Sequence, residues 1–276
     1  MSHVLLNNGV SIPQLGLGVF EIPMNETQSV VESALEAGYR HIDTAAAYGN
    51  EAAVGAAIAA SGIDRDQIFV TTKLRNGQQG KAKDAFDASR EALGVEVIDL
   101  YLIHWPVPSL GRYVDAWRSL EEIYYEGRVR AIGVSNFLPE HIATLLASTT
   151  VVPAVNQFEL HPTFQQTELS SSCRASNIAV EAYSPLGRGN DLDAVTVRAL
   201  AETYAATPAQ IVLAWHLAAG NIAVPKSASP QRARENLVAT EISLGPADLA
   251  AIAALESGAR TGGDPATVAF SQMATS

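Results

Sequence analysis

The residues able to do chemistry in this chain start in one stretch, GYRHIDTAAAYGNEAAVG, residues 38–55. A short apolar run there ends in Asp43, and a loop of small residues then presents Tyr48. Asn50 stands where it would cap a new helix, with Glu51 in a first turn whose dipole favours an acid. A second apolar run, Ile-Phe-Val-Thr-Thr, closes on Lys73, and a third, Ile-Asp-Leu-Tyr-Leu-Ile, closes on His104-Trp105-Pro106. An amine at the end of a hydrophobic strand is partly desolvated and calls for an anion, which Asp43 can supply. Lysine beside tyrosine stabilises the tyrosinate and lowers its pKa from ~10, which would make Tyr48 a usable general acid. His104 as a donor would orient a carbonyl oxygen. Together the four suit one task, protonating an oxygen while something else attacks the carbonyl carbon. Each has a plainer reading, Asp43–Lys73 as a buried ion pair and His104 as a satisfied core histidine.

The elements that must position these residues are short. Apolar runs at 14–20, 39–42, 68–72, 98–104, 129–134, 154–158, 179–183 and 222–224 alternate with helical patterns. Mostly continuous apolar runs fit strands buried on both faces. Strand and helix in alternation imply a parallel sheet, and eight units in this length imply an α/β fold, a single (β/α)8 TIM barrel. An N-terminal β-hairpin over residues 4–12 is expected to turn at Asn8-Gly9. Extra helices are expected after strand 7, at 194–204, and after strand 8, at 246–257, followed by an irregular tail to residue 276. Gly94 and Gly127 mark helix ends. Thr207-Pro208-Ala209-Gln210 carries a capping box with Pro at the first helical position. No linker divides the chain, so one domain is expected over residues 1–276, with the barrel at about 14–240. All the polar residues above fall at strand C-termini, the face on which such barrels build active sites.

Composition limits the alternatives. The 276 residues are 47% hydrophobic and 17% charged, enough for a large core, so disorder is not expected. The net charge of -11 argues against a nucleic-acid or anionic-membrane partner. No apolar run reaches membrane-spanning length and the N-terminus lacks the regions of a signal peptide. With Cys173 as the one cysteine, no internal disulfide is possible, and Cys173 reads as a packing residue in a reducing, cytoplasmic setting. Metal catalysis lacks its spacings, since there is no HxH, HExxH or paired cysteine, and no serine or cysteine nucleophile has its local signature.

Any electron source must then be a cofactor. Gly16-Leu17-Gly18 and Gly187-Arg188-Gly189 both stop short of a dinucleotide glycine fingerprint, so a Rossmann site is unsupported. The loops after strands seven and eight are the alternative, since barrels commonly bind phosphate there. They read Ser184-Pro185-Leu186-Gly187-Arg188 and Pro225-Lys226-Ser227-Ala228-Ser229-Pro230-Gln231-Arg232. Lys226, Ser227 and Arg232 at the start of a helix form a compact anion site in an acidic protein. The plainer reading is a solvated basic turn.

With these residues in view, the sequence resembles the aldo-keto reductase family over roughly residues 1–265. Residues 38–55, GRVRAIGVSNF (127–137) and VPKSASPQRAREN (224–236) resemble the family's three signatures, and TTK, LIHWP, NQFELHP and AYSPLG fall in its order. The length and the GLGVFEI start look most like a bacterial branch that includes 2,5-diketo-D-gluconate reductases. The resemblance implies a catalytic tetrad of Asp43, Tyr48, Lys73 and His104, with Tyr48 as proton donor. It implies that Ser135, Asn136 and Gln157 hold a nicotinamide carboxamide and that Tyr183 stacks on the nicotinamide ring. Ser184, Leu186 and Gly187 match the pyrophosphate loop, and Gly18 and Val19 join the cofactor site. Lys226, Ser227 and Arg232 match a clamp on the adenosine 2′-phosphate, favouring NADPH, and Glu235 and Asn236 match adenine contacts. A small carbonyl compound is the implied partner, and the protein the resemblance implies is a monomer without a metal.

Three positions depart from the family pattern. Phe20 and Arg75 stand where many relatives carry Trp, and the loop 188–193 is short. Phe20, Arg75 and Trp105 are expected to line the substrate pocket, and Arg75 to favour a substrate bearing a carboxylate or hydroxyl, with a surface ion pair to an acid of a neighbouring loop as its plainer reading. A redox-sensing module that binds NADPH with incidental turnover is the alternative within the same fold. A barrel hydrolase or isomerase sharing only the scaffold is a third reading.

Overall fold

A computed structural model of the chain describes residues 2–268. Strands β1 (His3–Leu5) and β2 (Ser11–Pro13) pair antiparallel. Their loop is Asn7-Asn8-Gly9, one residue longer than the expected Asn8-Gly9 turn. The Leu6 N–H donates to the Val10 carbonyl at 2.8 Å and the Gly9 N–H to the Leu6 carbonyl at 2.9 Å. Gly9, at φ 83°, supplies the left-handed residue on which such a three-residue loop ends. The Asn7 and Asn8 amides donate to the carbonyls of Pro153 and Arg130, at 3.0 and 2.9 Å. The hairpin is thereby fastened across the N-terminal end of the barrel, with Leu6 and Ile12 packed beneath Phe69, Leu100, Leu102 and Val155.

Eight parallel strands follow in sequence order: β3 (Leu17–Gly18), β4 (His41–Asp43), β5 (Phe69–Leu74), β6 (Ile98–Ile103), β7 (Val129–Ser135), β8 (Val155–Glu159), β9 (Ala179–Tyr183) and β10 (Ile222–Val224). Bridges from Leu15 to Ala223 and from Gly18 to Lys226 join the first of these to the last and close the barrel. The regular part of the first barrel strand is shorter than the expected 14–20, because Leu15 meets its neighbour through a single bridge. Every residue of β5 and of β6 is buried, as expected where one face lines the barrel and the other meets helices.

The outer ring comprises α1 (Met24–Ala37), α2 (Glu51–Ala60), α3 (Ala82–Leu93), α4 (Tyr113–Tyr125), α5 (Pro139–Ser148), α6 (Thr167–Ala175), α7 (Val195–Thr203), α8 (Pro208–Ala218), α9 (Pro230–Leu237) and α10 (Pro246–Ala253). The extra helices after the seventh and eighth barrel strands are α7 and α10. In α4, Ala116, Trp117, Leu120 and Ile123 form the buried stripe that the helical period places on one face. The box at the start of α8 forms as read: Thr207 Oγ1 accepts from the Gln210 N–H at 3.3 Å, and Gln210 Oε1 accepts from the Thr207 N–H at 2.8 Å. No helix among the described residues is long and apolar enough to cross a membrane.

Asn50 departs from its expected role. It occupies the N-cap position of α2, yet its side chain makes no capping bond. Its Oδ1 accepts from Thr44 Oγ1 at 2.8 Å and its Nδ2 donates to the Val19 carbonyl at 3.0 Å. A fully buried amide must satisfy both ends, and here the loops after β3 and β4 offer the partners that helix α2 does not.

Candidate functional site

Asp43, Lys73 and His104 reach the same mouth because β4, β5 and β6 lie side by side in parallel. Asp43 ends β4, Lys73 is the next-to-last residue of β5 and His104 follows β6. Lys73 is fully buried, and its Nζ donates to Asp43 Oδ1 at 2.6 Å and to the Thr44 carbonyl at 2.9 Å. The same Nζ lies 3.4 Å from the Tyr48 hydroxyl, which a single turn over 46–48 lifts to the mouth. Asp43 is held from its other side, where Gln157 Nε2 donates to Oδ2 at 2.8 Å. The Tyr48 ring sits between Phe20 and His104, at centroid distances of 5.0 and 5.7 Å.

The protonation states follow from this packing. Burial opposes the charge on Lys73, but Asp43 and then Tyr48 outweigh it and leave the lysine pKa raised, so it is an ammonium. Burial pushes His104 well below the usual histidine value, and Lys73 and Arg75 push it further, so the imidazole is neutral. Its Nδ1 is buried without a partner among the described residues. Tyr48 corrects an expectation. Lys73 does lower its pKa, but burial of the hydroxyl raises it by more, and the net direction is upward. The phenol is therefore fully protonated at neutral pH, a loaded donor, and Lys73 favours the phenolate only once the proton has left.

The residues expected to hold a cofactor lie in or just after β3 and β7 to β10, and on α9. Asn136 donates from Nδ2 to the His104 carbonyl and to Ser135 Oγ, both at 3.0 Å, and accepts from the Tyr183 hydroxyl at 2.8 Å. It thus ties the ends of β6, β7 and β9 together. Asn136 and Ser184 have positive φ, 62° and 46°, a strained conformation for residues with side chains and one that clusters at functional sites. Gly18 and Val19 run beside β10 and β4, with the Gly18 N–H on the Pro225 carbonyl and the Val19 N–H on the Asp43 carbonyl. Leu186 and Gly187 follow Ser184 on the loop beyond β9. Ser227 is buried and donates to the Ser229 carbonyl at 3.0 Å, and Ser229 Oγ caps α9. Lys226 and Arg232 are exposed beside that helix start, and among the described residues neither side chain forms an ion pair or hydrogen bond. Glu235 accepts from Gln231 at 2.8 Å, and Asn236 is buried on the same helix. Two uncommitted cations at a helix N-terminus, in a chain of net charge -11, fit a ligand carrying phosphate.

Residues 14–257 match the profile of the Aldo/keto reductase family. The chain belongs to that family. An aldo-keto reductase of Mycobacterium sp. (strain KMS) is 50% identical over 269 residues, covering 97% of this chain and 98% of the relative. The Mycobacterium tuberculosis protein Rv2971 is 47% identical over 268 residues, 96% of this chain and 95% of its own. Among solved structures, a Gox0644 mutant in complex with NADPH superposes with a TM-score of 0.94 at 43% identity, covering 98% of this chain and 99% of that one. The aldose reductase of Schistosoma japonicum superposes at 0.90 with 33% identity, covering 95% and 94%.

Around this family's barrel mouth, Phe20 is 45% exposed against Tyr48, Trp105 is half-buried, and Arg75 is half-buried directly after β5. Two further groups went unread in the sequence. Glu181, in the middle of β9, is fully buried, with His41 Nε2 3.7 Å from its Oε1 and with Asp43, Lys73 and Gln157 also acting on it. A charge inside an apolar strand was the signal available for it. The second group is Glu159, His161 and Asp191, a buried cluster at the end of β8.

Proposed function

We propose that the protein reduces aldehydes or ketones to alcohols with NADPH, and that Tyr48 delivers the proton. The observation that carries this is Lys73 Nζ, shared at 2.6 Å with Asp43 and at 3.4 Å with Tyr48. As a substrate oxygen gains charge it takes the Tyr48 proton, and the ammonium beside the hydroxyl stabilises the phenolate left behind. Asp43 keeps Lys73 charged and in place, and Gln157 keeps Asp43 in place. A neutral His104 meets the carbonyl oxygen through its Nε2, orienting it toward the phenol without competing as an acid.

When bound, the dinucleotide supplies the hydride. Lys226, Ser227 and Arg232 would take its 2′-phosphate, Ser184, Leu186 and Gly187 its pyrophosphate, and Glu235 and Asn236 its adenine. Ser135, Asn136, Gln157 and Tyr183 would hold the nicotinamide end, with Gly18 and Val19 beside it. One Gln157 N–H is committed to Asp43, which leaves its second N–H and its carbonyl oxygen for other partners. Phe20, Trp105 and Arg75 would border the substrate.

Titration with NADPH and NADH, followed by intrinsic fluorescence, and a carbonyl panel followed at 340 nm test the reading. Tyr48→Phe is expected to bind NADPH like wild type and lose roughly 100- to 10,000-fold in kcat. A variant that keeps wild-type kcat removes Tyr48 from the role. Wild-type binding of NADPH with no turnover on any carbonyl would favour the sensing module instead.

A further inference from the structure

His161 lies at the crossing of three segments that no catalytic role explains. Its Nδ1 is 2.8 Å from Asp191 Oδ2 and its Nε2 is 3.1 Å from Glu159 Oε1, and all three side chains are at most 1% exposed. Burial opposes a charge on this ring, but hydrogen bonds to Asp191 and Glu159 outweigh it and raise its pKa to about 9. At neutral pH the ring is therefore an imidazolium donating to both carboxylates, a strong, charge-assisted pair of bonds.

Each carboxylate holds a different segment of the mouth. Asp191 belongs to the loop 187–193 and packs directly on its first residue, since a Cβ on Gly187 would lie 2.6 Å from Asp191 Oδ2. Asp191 Oδ1 also accepts from Thr163 Oγ1 at 2.7 Å. Glu159, at the end of β8, holds the strap that returns from α10. Its Oε1 accepts from the Thr261 N–H at 2.5 Å and Oγ1 at 2.6 Å, and its Oε2 from the Gly262 N–H at 2.8 Å. The strap continues past the Tyr183 hydroxyl and the Trp105 ring, which Cβ atoms on Gly262 and Gly263 would meet at 3.6 and 3.5 Å. One imidazolium thus joins the loop at the phosphate end of the mouth to the strap at its carbonyl end.

We propose that His161 is a positioning residue that couples the loop 187–193 to the strap 257–263, so that a dinucleotide phosphate on the loop tightens the strap over the substrate pocket. The proposal rests on the cofactor reading above. Its ligand is the NADPH of that reading, and what is added is the route by which binding at one end is felt at the other. The shared His161 leaves little freedom for loop and strap to move independently, because releasing either one strands a buried charge.

Arg260 makes the strap readable by trypsin. It is half-buried with its guanidinium 4.6 Å from the Phe164 ring centre, so cleavage before Thr261 requires the strap to lift. In wild type, saturating NADPH is expected to slow release of the fragment starting at Thr261 by at least about fivefold, the lower end of ordinary coupling between sites. Asp191→Asn, which keeps the shape and removes the charge, is expected to bind NADPH and lose that protection, as is His161→Gln if it folds. In both variants KM for NADPH and for the carbonyl compound rise together, while kcat changes less. Wild-type cleavage that NADPH does not slow, with binding confirmed by fluorescence, overturns the coupling alone. Full protection in Asp191→Asn overturns it too. Absence of NADPH binding to wild type would sink the cofactor reading and the coupling with it.

Discussion

Arg75 shows what a single side chain can add at the mouth of the barrel. It follows β5 directly, where its charge helps keep His104 neutral. Among the described residues its buried Nε has no partner and no carboxylate forms an ion pair with it. The surface ion pair of the plainer reading is therefore not formed among the described residues. If Arg75 borders the substrate as proposed, its cation favours a substrate that brings an anion, because a charge-assisted contact is stronger than a neutral one. Arg75→Ala is expected to lower kcat/KM for a carboxylate-bearing aldehyde by roughly tenfold or more while leaving a neutral aldehyde of equal length nearly unchanged. An unchanged ratio between the two substrates ends the idea. At this scale Asp43, Lys73 and His104 were legible because each ends or follows an apolar run, and Tyr48 because it sits in the small-residue loop that leaves the first of them. Their couplings were not. That Gln157 would serve Asp43, or Asn136 bridge His104 and Tyr183, depends on which strands become neighbours, and sequence spacing alone does not carry that.

Elements were legible where periodicity or capping chemistry was strong. The eight barrel strands fall at the apolar runs, and α8 starts at its Thr-Pro-Ala-Gln box. The misreadings arose where tertiary partners replaced local ones. Asn50 has the residue type and position of a cap, but buried loops claimed its amide. A similar contest decides the sign of a helix substitution. Gly55 lies in the middle of α2, where alanine would ordinarily gain about 1 kcal/mol in helix propensity. Here a methyl would run into the backbone of Leu93 at the C-terminal end of α3, and backbone cannot swing aside as a side chain can. Overpacking of a close contact costs roughly 1–3 kcal/mol, and the rigid partner puts this site at the upper end. Gly55→Ala is expected to lose stability by roughly 1–2 kcal/mol net, seen as a lower urea midpoint with an unchanged m-value. A gain in midpoint would mean that α2 and α3 separate more easily than their packing implies.

For the whole molecule, buried titratable groups set the pH range of stability, and they pull in opposite directions. Burial lowers His41 and His216 to about 4 from 6.5, so their contribution is present above 6.5 and is lost as pH falls toward 4. Burial opposes the charge on Glu159, yet its hydrogen bonds from His161, Thr261 and Gly262 bring it to about 2, so its contribution fades as pH falls from 4.5. On the other side, His161 is raised to about 9, and the stability it brings below 6.5 is lost as pH climbs through 9. Glu181 acts in the same direction. Burial, and then the charge of Asp43, raise it to about 8 against the opposing pull of Lys73, so it folds as a neutral acid. Its contribution is complete below 4.5 and is lost as pH rises through 8. The limbs cross near the ordinary histidine value, so Tm is expected to peak at ~pH 6.5 and to decline toward pH 9. Glu181→Gln isolates the alkaline limb, since glutamine keeps the shape of the neutral acid and never ionises. Each unit of pKa shift is worth about 1.4 kcal/mol, so at pH 8.5 the variant is expected to melt at least about 3 °C above wild type, while at pH 5 the two nearly coincide. Calorimetry across that range decides the matter. A displacement equal at both pH values would mean that Glu181 is ionised throughout, with its charge balanced inside the barrel by Lys73 and a protonated His41.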